Sequence, residues 1–91
     1  MKAVRAVIEG RVQGVWFRGW TVDEANRRGV SGWVRNRRDG TVEAVFAGDD
    51  GSVAEMLRVC WQGPPAAHVT NVTSEPAEAP AQPGFHQAAT A

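Results

Sequence analysis

Cysteine occurs once, at Cys60, and tyrosine does not occur at all. A lone thiol excludes an intramolecular disulfide and a thiolate zinc site. Histidine occurs twice, at His68 and His86, far apart in sequence. Net charge is also lacking: Lys plus Arg and Asp plus Glu are equal at 10 each. A balanced chain is without the basic excess that general nucleic-acid binding needs. No apolar run approaches membrane-spanning length, and the start Met-Lys-Ala-Val-Arg has no signal-peptide core. These absences predict a soluble, cytoplasmic protein with neither a membrane nor a nucleic acid as partner.

What is present suffices for one modest core. A hydrophobic fraction of 43% in 91 residues predicts a single domain over residues 1–91, with a loose tail from about residue 88. Five arginines, Arg27, Arg28, Arg35, Arg37 and Arg38, crowd into one stretch. They are read either as a solvated surface or as a positive field that draws an anionic substrate.

Hydrophobic periodicity supplies the elements. Val4, Ala6 and Ile8 alternate with Arg5, Val7 and Glu9, the period of a half-buried strand over residues 3–9. A helix is predicted from Arg18 to Arg28, with Phe17, Thr21 and Ala25 as its inward stripe and Gly29 closing it. Alternation resumes over Val30–Arg35 and Thr41–Ala47, joined by a turn containing Asp39-Gly40, a strong hairpin signal. Ser52 and Glu55 have capping-box spacing, and Val53, Met56, Leu57, Cys60 and Trp61 form the apolar stripe of a second helix. Gly63 and Pro64-Pro65 stop it. Residues 69–73 read as a strand, and Phe85-His86-Gln87 as a short edge strand. The order predicts an α+β fold: a ferredoxin-like two-layer sandwich (βαββαβ), with a mostly antiparallel sheet carrying two helices on one face.

The chemistry concentrates in Gly10–Arg18. Two glycines, Gly10 and Gly14, lie between a strand and a helix, and Arg18 stands at the helix mouth. A helix N-terminus carries partial positive charge and unpaired N–H donors, so a cation there is misplaced unless an anion sits between them. A phosphate is the simplest such anion. Helix 1 carries the chain away by about 16 Å and the next strand returns it by about 20 Å, which brings Asn36 to the same end of the sheet as Arg18. Arginine offers a planar fork to phosphate oxygens, and asparagine can hold a neutral water. Between Gly10 and Gly19 there is no Asp, Glu, His, Ser or Cys. Neither a covalent nucleophile nor a set of metal ligands is therefore at hand.

At these residues the chain resembles the acylphosphatases. I-E-G-R-V-Q-G-V-W-F-R follows the family's phosphate-loop signature V-x-G-R-V-Q-G-V-x-F-R. Gly32-Trp33-Val34-Arg35-Asn36 and Asp39-Gly40-Thr41-Val42 follow its second, G-x-V-x-N with D-G-T-V. The resemblance spans residues 4–72. It implies hydrolysis of a carboxyl-phosphate anhydride without metal or cofactor, by a monomer acting on a small acyl phosphate. It also implies that Arg18 and the backbone N–H groups of Gln13, Gly14, Val15, Trp16, Phe17 and Arg18 hold the phosphate, while Asn36 orients the attacking water. The natural acyl group stays open. Thr21 matches a family threonine and reads either as loop support or as a helix residue packed on the sheet. Where the family's last strand carries Phe-x-aliphatic, this chain has Phe85-His86-Gln87, which would aim an amide at the core. Rival readings are an RNA-binding module on the same fold and a catalytically silent anion binder. The strand Val42–Phe46 lacks the aromatics on which an RNA-recognition sheet stacks bases.

Outside the motifs, Cys60 reads as a small buried hydrophobe. His68 and His86 read as surface or strand residues, and Trp20, Trp33 and Trp61 as core or half-buried cover. Trp16 either walls the pocket or simply packs.

Overall fold

A computed structural model describes all residues, Met1–Ala91. The elements are β1 (Lys2–Arg11), α1 (Phe17–Arg27), β2 (Ser31–Asn36), β3 (Val42–Gly48), α2 (Asp50–Cys60), β4 (His68–Pro76) and β5 (Phe85–Gln87). The strands form one sheet in the order β4-β1-β3-β2-β5. Every pairing is antiparallel except β2 with β5. This is the expected ferredoxin-like sandwich with a short fifth strand.

The core follows the alternation. Val4, Ala6 and Ile8 of β1, Val34 of β2 and Val42, Ala44 and Phe46 of β3 meet Phe17 and Ala25 of α1 and Val53, Met56 and Cys60 of α2. Burial pushes the Cys60 thiol up to about 12. We expect a disulfide reagent at pH 8 to leave the native chain essentially unmodified and to titrate this thiol only after denaturation. Rapid modification of folded protein would contradict the packing.

No helix covers the opposite face of the sheet at its centre, yet β3 is buried on both sides. Glu43 holds that face together. Its side chain is only 6% exposed and accepts hydrogen bonds from Arg5 and Arg35, the latter at 2.7 Å. Arg35 also lies 4.8 Å from the ring centre of Trp33. Burial alone would raise the Glu43 carboxyl, but the hydrogen bonds from Arg35 and Arg5 outweigh it and hold the group below the ordinary carboxylate value. A lowered folded pKa means stability that is present above the unfolded value and is lost as pH falls through the folded one. Glu43→Gln should cost about 1–3 kcal/mol near neutrality, because two arginines lose their partner. In thermal melts, the gap between variant and wild type should narrow below about pH 4. A gap that does not depend on pH would contradict the ionised triad.

Four details depart from the sequence expectations. Asp49, not Ser52, caps α2, its Oδ2 accepting from the N–H groups of Gly51 (3.1 Å) and Ser52 (3.4 Å). Glu55 pairs with Arg58 rather than reaching back to a capping box. Trp61 lies past the end of α2 and is 51% exposed, while Val59 takes the inward place. The strand expected over 69–73 extends to Pro76, because residues 73–76 pair through their backbone with Val4–Val7. The tail from residue 88 is tied down: Ala88 donates to the Val34 carbonyl at 2.8 Å, and Ala91 to the Asn36 carbonyl at 3.0 Å. No helix is long and apolar enough to cross a membrane.

Candidate active site

Ile8 pairs with Val42, and Val42 pairs with Asn36. The end of β1, the loop that follows it and the end of β2 therefore share one edge of the sandwich. A bulge between Glu9 and Gly10 shifts the register against β4 and turns β1 into that loop. Glycine is required here. Gly10 has φ 118°, and a methyl group at its Cα would lie 2.2 Å from the His68 carbonyl oxygen.

The loop is held from outside so that its own N–H groups stay free. Gln13 Nε2 donates to the carbonyls of Arg37 (2.7 Å) and Thr41 (2.9 Å), fastening the loop to the β2–β3 turn. That turn is fixed in its own right by Thr41, which donates to Asp39 Oδ1 from its hydroxyl (2.6 Å) and its N–H (3.0 Å). Those bonds hold the Asp39 carboxyl below its ordinary value. None of the N–H groups of residues 13–16 donates to a backbone acceptor. α1 then begins without a side-chain cap and with no acidic residue in its first turn, so its leading N–H groups are also unpaired. The N-cap is Trp16, at φ 68° and ψ 24°. A left-handed conformation costs a residue with a Cβ about 1–2 kcal/mol. The indole is nevertheless 63% exposed, lying across Gly19.

Val12, Gly14, Trp16, Phe17, Arg18, Gly19, Asn36 and Gln87 line a cleft of about 130 Å³. Arg18 takes part in none of the ion pairs that engage Arg5, Arg27, Arg28, Arg35, Arg37 and Arg58. Asn36 contributes an Oδ1 that is buried and has no hydrogen-bond partner. A buried acceptor left unpaired costs about 1–3 kcal/mol, so its persistence beside the cleft points to a ligand that donates to it. Free N–H donors and an unpaired guanidinium thus converge on a space the size of a small oxyanion, with Asn36 in its wall and that residue's Oδ1 buried and orphaned.

The family model for acylphosphatase matches residues 4–87. The chain belongs to the acylphosphatase family. An acylphosphatase of Rhodospirillum rubrum is 54% identical over 87 residues, 96% of each chain. Among solved structures, the acylphosphatase of Bacillus subtilis superposes with a TM-score of 0.90 at 31% identity, covering 97% of this chain and 99% of its own. The acylphosphatase of Coxiella burnetii gives 0.91 at 32% identity, over 96% and 92%.

In this acylphosphatase scaffold, Gly14, Trp16, Phe17, Arg18 and Asn36 of the expected site line one cleft. The side chains of Gln13 and Val15 do not line the cleft: Gln13 is the loop's tether, and Val15 is buried in the core. Thr21 is buried and away from the cleft, its Oγ1 donating to the Phe17 carbonyl at 2.8 Å. It steadies the first turn that carries Arg18. Sequence reasoning missed Val12, Gly19 and Gln87. Gln87 was expected to bury its amide, but it is exposed. It does point to the helix face like Phe85, but the chain has by then reached the cleft at the mouth of α1. Of the five clustered arginines, four are paired with carboxylates and only Arg38 stands outside an ion pair, which favours the solvated-surface reading.

Proposed function

We propose that this chain hydrolyses the carboxyl-phosphate bond of small acyl phosphates by direct attack of water, with Arg18 and the 13–18 loop as phosphate cradle and Asn36 as water holder. The observation that carries the reading is the convergence of unpaired loop N–H groups and the unpaired Arg18 on one small cleft, with Asn36 in its wall and the Oδ1 of that residue orphaned. In the ground state the donors neutralise the phosphate. As the bond to the acyl oxygen lengthens, charge spreads over the equatorial phosphate oxygens, where the same donors strengthen. The water forms its bond to phosphorus as the carboxylate leaves with the electron pair of the broken P–O bond.

The cleft is lined by no carboxylate, imidazole or thiol. The water's proton therefore passes to a phosphate oxygen of the substrate itself, while Asn36 Oδ1 accepts the other hydrogen and aims the oxygen. An acyl phosphate suits so spare a site, because its leaving group is a stable carboxylate that needs no protonation. The reading is of a cytoplasmic monomer forming one domain and acting on a small molecule, without cofactor or nucleic acid. The test is phosphate release from acetyl phosphate by the full chain with EDTA present. Sustained turnover is expected. A folded chain that binds inorganic phosphate without turning over acetyl phosphate would make it the silent anion binder instead.

A further inference from the structure

Apart from Val12 and Gly19, which offer no polar side chain, Gln87 is the cleft-lining residue that the hydrolysis scheme above leaves without a part. β5 is parallel to β2, with Gln87 beside Val34, so its side chain leaves the sheet on the same face as Val34 and Asn36. Partners on adjacent strands one pleat apart lie roughly 7–8 Å from each other, within reach of a glutamine. β5 is only three residues long, but it is pinned on both sides. The Asn26 side chain of α1 accepts from the Phe85 N–H at 3.2 Å and donates to the Phe85 carbonyl at 3.4 Å. Beyond it, Ala88 and Ala91 bond to the carbonyls of Val34 and of Asn36 itself. The carboxamide of Gln87 is thus carried to the Asn36 side of the cleft on a fixed strand.

A water about to attack phosphorus has four directions to fill. One lone pair faces phosphorus and one hydrogen faces the phosphate oxygen that takes the proton. The second hydrogen goes to the buried Asn36 Oδ1, which has no partner in the protein. The remaining lone pair wants a donor, and an ordered water ordinarily holds about three partners. We propose that Gln87 is a second positioning residue, its Nε2 donating to the attacking water that Asn36 holds. Being neutral, it fixes the oxygen without competing for its proton. Because Gln87 stands on the water's side of phosphorus, it grips the nucleophile and not the acyl group.

This inference rests on the hydrolysis reading above, and a double-mutant cycle separates the two. kcat and KM for acetyl phosphate are measured for wild type, Gln87→Leu, Asn36→Ala and the double variant, with Arg18→Ala as reference. Gln87→Leu should lower kcat about five- to tenfold, the effect of one neutral hydrogen bond, and leave KM and inhibition by inorganic phosphate unchanged. Once Asn36→Ala has released the water, the same substitution should cost less than about twofold. Two kcat effects that multiply, a loss confined to KM, or a loss for carbamoyl phosphate but not for acetyl phosphate would overturn the proposal, the last by making Gln87 a reader of the acyl group. If Arg18→Ala turned over like wild type, the cradle itself would be wrong, and this inference would fall with it.

Discussion

Arg18→Ala is expected to keep the fold and to lose about 100- to 1,000-fold in kcat/KM for acetyl phosphate, the usual consequence of removing one donor from a developing oxyanion. The fold should survive because Arg18 forms no ion pair and lines a cleft rather than the core. The loss should fall on both kcat and KM, since the guanidinium is proposed to meet the phosphate in the ground state and more strongly in the transition state. Arg18→Lys should recover only part of it, because an ammonium supplies charge without the planar fork. Circular dichroism and steady-state kinetics check this, and a variant within about threefold of wild type would remove Arg18 from the chemistry.

Asn36→Ala should be comparably damaging, about 100-fold, but with a different signature. Asn36 is proposed to meet the water rather than the phosphate, so kcat should fall while the inhibition constant of inorganic phosphate stays near that of wild type. The substitution also removes an orphaned buried acceptor, so the variant should melt no lower than wild type. Asn36→Asp should be no better than Asn36→Ala: it keeps the shape but brings a negative charge beside an anionic substrate. Loss of phosphate affinity in Asn36→Ala would instead place the side chain in the cradle.

The sequence exposed most of the scaffold, and where it fell short the reason is physical. Alternation located β1, β2 and β3, since one face of each is driven into the core, and Asp39-Gly40 marked their hairpin. That was sufficient to bring Arg18 and Asn36 to one edge, which the pairing of Ile8, Val42 and Asn36 realises. The full length of β4 was not legible, because an exposed edge strand is held by backbone bonds that leave no hydrophobic pattern. The cap of α2 was ambiguous in composition. Asp49 and Ser52 are both good caps, and the fold uses Asp49. Gln87 was misread for a subtler reason. Parity gives the face of a sheet, but not whether a helix covers that face, and here α1 begins short of it. The tethering of the alanine-rich tail is likewise a matter of main-chain geometry.

The most direct measurement is hydrolysis of acetyl phosphate in ¹⁸O-labelled water, with the products resolved by mass. Water held by Asn36 and aimed at a phosphorus in the Arg18 cradle should place one labelled oxygen in every phosphate released and none in the acetate. Label in the acetate would mean attack at the carbonyl carbon, and would contradict the phosphate-centred site.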